Sequence, residues 1–321
     1  MIRMQTRTLE QTLGLENTVV TTGTFDGVHL GHRAVIEAVV AMARARSGSA
    51  VAVTFDPHPR AVIHPDDPPV VLTSMEEKRR RLQDAGIDIL AVVPFTREVQ
   101  MLSPEAFVST YLVTYLAAKV VVLGYDHGFG KGRSGDPDTM RTLGHRFGFD
   151  VAIVPPTMAG EGPVSSSRLR DLIREGRIEE AREMLGGGYP VSGRVASGDG
   201  RGRELGYPTA NIVPDDTMKL LPPNGVYAAK AFVPDPFAAV VNLGVRPTFN
   251  GKSRLLEAHL LDFTGNLYGR RISLELVDRL RDERRFPNPE ALIAQIHKDG
   301  QRARDILGQE LDHQMEVRHW V

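Results

Sequence analysis

Through the first half of the chain, short apolar, β-branched runs alternate with helical periods. The runs cover residues 19–22, 51–55, 89–93, 120–123 and 151–154. Residues 34–46 and 74–85 carry apolar positions at helical spacing, and Ser103-Pro104-Glu105 supplies a cap and a first-turn proline for a third helix over 104–116. Buried runs separated by helices predict a parallel, doubly wound sheet, in which ligands sit at the carboxyl ends of the strands. Residues 165–175 and 178–185 read as two more helices. Glycines 186–188 followed by Tyr189-Pro190 end that pattern.

Beyond this point the texture changes. Strand-like segments at 189–196, 226–232, 238–243, 255–261 and 272–276 are separated by Pro/Gly/Asn turns, without helices between them. That pattern predicts an antiparallel barrel, with a helix over 289–307 to pack on it. The reading is therefore an α/β Rossmann-like domain over 1–186 and a β-barrel domain with a C-terminal helix over 187–321. A 321-residue chain suits two domains of about 100–200 residues each.

Composition narrows the chemistry. Hydrophobic residues at 41% and charged residues at 25% suit a soluble globular protein with two cores. A formal net charge of -1 argues against nucleic acid as a partner. The absence of cysteine excludes disulfides and thiolate metal sites and fits a cytoplasmic location. No apolar leader core opens the chain and no run approaches the ~20 apolar residues of a membrane span, so no membrane association is expected. Oligomeric state is not legible.

The most informative segment is Gly23-Thr24-Phe25-Asp26-Gly27-Val28-His29-Leu30-Gly31-His32. It joins a strand to a helix, where the first backbone N–H groups are unpaired and attract an anion. His29 and His32, three apart, add side-chain donors on one face. A lone His-x-x-His is more often surface or packing, and zinc lacks a third local ligand. The junction gives the pair its meaning. Two further pieces belong with it: Thr54-Phe55-Asp56-Pro57-His58-Pro59, and Ser165-Ser166-Ser167-Arg168, where serines open a helix and an arginine follows. Together they suit a triphosphate and transfer of a nucleotidyl group onto a phosphate. Such a nucleophile is already ionised and needs positioning rather than a base. Lys131 and Arg133, in the glycine-rich loop 124–133, read equally as a solvated loop or as ligand contacts.

The second half carries Gly200-Arg201-Gly202-Arg203-Glu204-Leu205-Gly206-Tyr207-Pro208-Thr209-Ala210-Asn211. A glycine-rich flap beside a fixed turn suits closure over nucleotide phosphates. Thr209 and Asn211, two apart on an extended segment, share a face, and their oxygens suit Mg²⁺ that borrows phosphate ligands. Glu257, alternating with apolar neighbours, is a carboxylate that an alcohol nucleophile needs. By itself a strand Glu is more often a barrel-rim ion pair. Gly251-Lys252-Ser253 imitates the end of a P-loop, but Arg246 stands where the first glycine belongs.

Jointly, these motifs resemble the bacterial bifunctional riboflavin kinase/FMN adenylyltransferase family, also called FAD synthetase, in the family's order and over nearly the whole chain. The resemblance implies a nucleotidyltransferase-type first domain and a riboflavin-kinase barrel, converting riboflavin and ATP to FMN, then FMN and ATP to FAD and pyrophosphate. It implies that His29, His32 and Arg168 act on ATP phosphates. Gly23, Thr24, Phe25, Asp26, Gly31, Asp126, Ser165, Ser166 and Ser167 would complete that nucleotide site, and Pro57, His58, Pro59 and Phe129 would meet the flavin. In the kinase half it implies ATP on Gly200, Gly202, Arg203, Gly206, Pro208, Thr209 and Asn211, with Mg²⁺ on the last two. Asn242 and Arg246 would hold the flavin and Glu257 would be the base. Three positions depart from the pattern: His127 where an aromatic is usual, Ser167 for threonine, and Tyr207 for phenylalanine. The first leaves a second reading open, a riboflavin kinase with weakened or absent adenylyltransferase activity.

Overall fold

The computed structural model describes residues 4–198, 202, 205–233, 235–248 and 251–318, with backbone alone for 246–248, 251–253 and 309–318. Internal contacts divide it into two compact units, 1–71 with 75–166, and 72–74 with 167–321.

The first unit is built on six parallel strands, β1 Gln5–Arg7, β2 Thr18–Thr22, β3 Ser49–Asp56, β4 Ile89–Pro94, β5 Ala118–Gly124 and β6 Asp150–Val154. Their order is β1-β4-β3-β2-β5-β6, with Val20 between Val51 and Val121. Side chains alternate between the two faces of each strand. Val51, Val53, Val121 and Leu123 face one core, shared with Phe107, Leu112, Met140 and Leu143. Ala50, Ala52, Val120 and Val122 face the other, shared with Val35, Ile36, Val39 and Leu82. The second core belongs to α1 Leu30–Ala45, and to Leu82 of α3 Met75–Asp84; a short helix α2, Pro59–Ile63, lies between them in sequence. Helices thus cover both faces, and chain order reverses between β2 and β5. That crevice is where doubly wound sheets bind ligands.

The expected five strands all form, and so do the helices of this half, with one difference. The helix expected over 104–116 starts as α5 Pro104–Phe107, capped by Ser103, and then widens into a π-helix over Val108–Tyr115; a separate short helix, α4 Arg97–Gln100, precedes it. Thr110, Val113 and Thr114 crowd an ordinary helical turn at Cβ, and the Thr114 hydroxyl donates to the Ser109 carbonyl five residues back, at 2.9 Å. Helix α6, Pro137–Phe147, was signalled by an Asp136 cap, a first-turn proline and Gly148 in the left-handed region (φ 80°), though its polar flanks hid the apolar stripe of Met140 and Leu143. Edge strand β1 is polar and gives no hydrophobic pattern. A two-stranded hairpin, β7 Met158–Ala159 and β8 Gly162–Pro163, follows β6.

Helix α7, Ser166–Glu175, and α8, Ile178–Leu185, lead into the second unit. Its strands β9 Tyr189–Ala196, β10 Ala210–Pro214, β11 Gly225–Val233, β12 Asp235–Thr248, β13 Gly251–Leu260 and β14 Arg271–Arg281 close into a barrel in the order β10-β13-β12-β11-β14-β9. Tyr227, Ala229, Val241, Leu243, Leu256, Ala258, Leu274 and Leu276 fill its interior. Outward, Val226, Ala228, Val277 and Leu280 pack against Ala303 and Leu307 of α9, Pro289–Arg318. Val277 and Leu280 are the extra residues of two bulges in β14 opposite β11. Those bulges put two additional apolar side chains under the helix.

Candidate functional site

Each unit presents one site. In the first, the turn after β2 is held from several sides. The Gly23 N–H donates to Val53 at 3.0 Å, the Thr54 hydroxyl to the Thr24 carbonyl at 3.3 Å, and the Ser166 hydroxyl to the Asp26 carbonyl at 2.8 Å. Phe25 (φ 46°), Gly27 (φ 92°) and Val28 (φ 43°) all lie in left-handed space. For Phe25 and Val28 this is strained backbone, which persists only where surrounding contacts impose it and which concentrates at functional sites.

His29 is the N-cap of α1, and its Nδ1 accepts the His32 backbone N–H at 3.3 Å. That bond assigns the neutral His29 ring its proton on Nε2. The His32 ring stacks on that of His29, with centroids 3.7 Å apart and planes 14° apart, and meets Phe25 edge-on at 5.4 Å. Gly31 lies close under this stack: a Cβ there would be 3.3 Å from the His29 ring, tight enough to push it. Burial, then the neighbouring His29, Lys78 and His127, hold the His32 pKa well below the usual imidazole value. It stays a neutral donor at neutral pH.

Of the other predicted residues, Ser165 precedes α7, Ser166 opens it, and Ser167 and half-buried Arg168 lie in its first turn. Asp126 is exposed just beyond β5. Phe129 is buried in the core, its ring 6.2 Å from Phe107. Pro57 precedes His58, which spends its Nδ1 on capping α2 by accepting the Arg60 N–H at 3.2 Å, with Pro59 first in that helix. Lys131 and Arg133 are exposed, and Arg133 donates to the Asp126 carbonyl at 3.2 Å. Sequence reasoning missed Lys78, which is 5% exposed and donates to the Thr54 hydroxyl at 3.4 Å. A charged residue on the inward stripe of α3 was the available signal.

In the second unit the site lies on the outer face of the barrel. Register sets it: Asn211 on β10 pairs with Glu257 on β13, Glu257 with Asn242 on β12, Asn242 with Val226 on β11, and Val226 with Arg281 on β14. Cross-strand partners stand about 4.5–5.5 Å apart at Cα, so these residues form one continuous belt. All five line a single cavity of about 570 Å³, together with Gly202, Pro208 and Thr209. Thr209 and Asn211 do share a face. Leu292, Ile296 and Asp299 of α9 close the far side.

Of the glycine-rich segment, Gly202 sits close to this belt. A Cβ on Gly202 would lie 2.4 Å from the Tyr207 carbonyl and 3.3 Å from the Thr209 hydroxyl. Gly206 turns the chain with φ 84°. Gly200 and Arg203 lie outside the described residues, as does the Arg246 side chain, although its backbone belongs to β12. Sequence reasoning missed His259 and the Arg281–Asp299 pair. His259 is two residues beyond Glu257 on one strand, hence on the same face, and its Nδ1 lies 2.8 Å from the Pro208 carbonyl. Arg281 grips buried Asp299 through Nε at 2.9 Å and Nη2 at 2.8 Å, tying α9 to the belt.

Chemically, three of the predicted residues in the barrel cavity offer hard oxygens: the Thr209 hydroxyl, the Asn211 amide and the Glu257 carboxylate. No cluster of three acidic or histidine side chains suited to caging a metal occurs among the described residues. This fits Mg²⁺, which keeps waters and is shared with substrate phosphates, better than a metal held by protein alone.

Comparison with known proteins separates the two units in the same way. Residues 12–168 match the family model for FAD synthetase, and residues 185–307 match that for riboflavin kinase. The chain is 36% identical to the bifunctional riboflavin kinase/FMN adenylyltransferase of Escherichia coli K12, over 91% of this chain and 94% of that one. It is 39% identical to the protein of that name from Listeria monocytogenes, over 90% and 92%. A crystal structure from Streptococcus pneumoniae, described as a macrolide-efflux protein, superposes with a TM-score of 0.84 at 30% identity, over 93% of this chain and 98% of that one. No helix among the described residues is long and apolar enough to cross a membrane.

Proposed function

The chain belongs to the bifunctional riboflavin kinase/FMN adenylyltransferase family, and on that premise we propose how its two sites divide the chemistry. The barrel cavity phosphorylates riboflavin. Glu257 orients the flavin hydroxyl and accepts its proton as the oxygen attacks the γ-phosphorus of ATP, giving FMN and ADP. Mg²⁺ would be held by Thr209 and Asn211 with phosphate oxygens, and supplies charge neutralisation there. Asn242, next to Glu257 in register, orients the flavin. Gly200, Gly202, Arg203, Gly206 and Pro208 form the cover over the nucleotide, and Arg246 adds a flavin contact.

The crevice between β2 and β5 forms FAD. A phosphate oxygen of FMN attacks the α-phosphorus of ATP, and pyrophosphate leaves. No base is needed, because the nucleophile is already an anion. His29 and His32 donate to phosphate oxygens, His32 as a neutral imidazole, with Arg168 neutralising charge and the serine-led start of α7 supplying neutral donors. Gly23, Thr24, Phe25, Asp26 and Gly31 shape the loop. Asp126 meets the nucleotide, and Pro57, His58, Pro59 and Phe129 lie toward the flavin. The adenylyltransferase half is taken to end at Gly186, a left-handed helix terminus (φ 63°).

The observation that carries the kinase assignment is the register row Asn211–Glu257–Asn242 facing one cavity. The test is an incubation of the purified chain with riboflavin, ATP and Mg²⁺, resolving flavins over time. FMN should appear first and FAD follow. FMN that accumulates without FAD would remove the adenylyl-transfer assignment and leave the barrel assignment standing.

A further inference from the structure

The crevice of the first unit holds two imidazole nitrogens that are buried and have no hydrogen-bond partner among the described residues, His32 Nδ1 and His127 Nε2. They come from opposite sides of the switch point. His32 is in the first turn of α1, after β2, and His127 lies three residues beyond the end of β5. The two rings are within electrostatic range, since His127 is one of the groups that depress the His32 pKa. His127 is not loosely placed. Its backbone N–H donates to the Gly124 carbonyl at 3.2 Å, and its ring stacks near Phe129 with centroids 6.1 Å apart and planes 23° apart.

A buried polar atom without a partner costs the full desolvation of that atom, so native structures rarely keep one idle. Here two occur in a single crevice, and both belong to side chains that can donate without carrying charge. We propose that His127 is a third imidazole of the adenylyl-transfer site, donating its Nε2–H to a phosphate oxygen of a bound substrate. The inference rests on the site assignment made above and adds a residue to it. Burial first, and then the Arg133 guanidinium, push the His127 pKa down to about 4, while Asp126 opposes them. The ring is therefore neutral at the pH of reaction, with one ring N–H to donate. The recognised chemistry is a phosphate oxygen, from either the nucleotide triphosphate or the flavin monophosphate.

The experiment uses the full chain with isotopically labelled histidine, titrated separately with a non-hydrolysable ATP analogue, inorganic pyrophosphate, FMN and riboflavin. Resonances are assigned with His32→Gln and His127→Gln. His127 should shift with the ATP analogue and pyrophosphate if the nucleotide is its partner, or with FMN alone if the flavin phosphate is. Riboflavin, lacking a phosphate, should leave it in place. A His32 shift without a His127 shift overturns the inference and keeps the site; stillness of both rings with every ligand overturns the two together. His127→Phe should lower kcat/KM for FMN adenylylation about 10–100-fold, the range of one hydrogen bond to a charged group. His127→Gln, which can restore a donor near Nε2, should recover part of that loss. Adenylylation by His127→Phe at the original kcat/KM would equally overturn the inference.

Discussion

The two sites place their side chains by different devices. In the parallel sheet, functional groups come from turns and helix starts at the carboxyl ends of strands, held by strained residues such as Phe25 and Val28 and by hydrogen bonds from Thr54 and Ser166. In the barrel they come from the strands themselves, and register alone brings Asn211, Glu257 and Asn242 into line. The chemical contents differ as well. The crevice offers imidazoles kept neutral by burial, while the belt carries a carboxylate at its centre. That difference follows the nucleophile: a phosphate arrives ionised and must only be positioned, whereas an alcohol must lose a proton.

The comparison is broken most directly at Glu257. Glu257→Gln keeps the shape of the belt and removes the proton acceptor, so kinase kcat should fall about 10²–10⁴-fold while FMN adenylylation holds. Kinase turnover at the original rate would remove the base assignment. The mirror test is His29→Ala, which removes both the helix cap and a phosphate donor. Adenylylation should fall about 10²–10³-fold with riboflavin phosphorylation intact, as assayed from riboflavin to FMN. Loss of both activities in either variant would point to misfolding rather than to chemistry at one site.

How much of this was legible in the sequence depended on which device was in use. The strand–glycine–helix junction at Gly23–His32 is local, so its anion-binding character could be read from adjacent residues. What could not be read was that His32 lies in one crevice with His127, because β2 and β5 are neighbours only once the sheet has its order. In the barrel, the shared face of Thr209 and Asn211 followed from period-two alternation. The pairing of Asn211 with Glu257, and Arg281 with Asp299 on α9, depends on long-range register and bulges that carry no local signal. Lys78 escaped for a related reason: a lysine on a polar helix reads as solvated until its neighbours are known.

Protonation gives a second way to sharpen the contrast. His127 and His32 are neutral in the folded crevice well below the ordinary imidazole pKa, with His127 reaching about 4 from a usual 6.5. The unfolded chain therefore binds more protons between these values. The stability these groups allow is fully present above about pH 6.5 and is lost as pH falls toward 4. Each ring contributes at most about 1.4 kcal/mol per pH unit in that window. Melting followed from pH 7 to 5 should show His127→Phe losing less stability than the unmodified chain. Parallel pH profiles for the two would show that the His127 ring is not what makes the fold acid-sensitive.

The smallest expected effect tests the devices themselves. Ser166 is not required to touch a substrate to matter: its hydroxyl holds the Asp26 carbonyl at 2.8 Å, in the turn that leads to His29. One such bond is worth about 1 kcal/mol net, so Ser166→Ala should raise the ATP KM of adenylylation roughly 5-fold with kcat little altered. A comparable remote bond in the barrel joins the Ser192 and Ser273 hydroxyls at 3.1 Å across β9 and β14. The backbone ladder already fixes that register, so Ser192→Ala should leave the kinase KM within about 2-fold, consistent with a distant polar pair that does not face the cavity. A turn-built site is thus expected to feel the loss of one buttress where a register-built site does not. Equal sensitivity at Ser166 and Ser192 would erase the distinction, and a fall in kcat at Ser166 would move that hydroxyl from supporting the turn to stabilising the transition state.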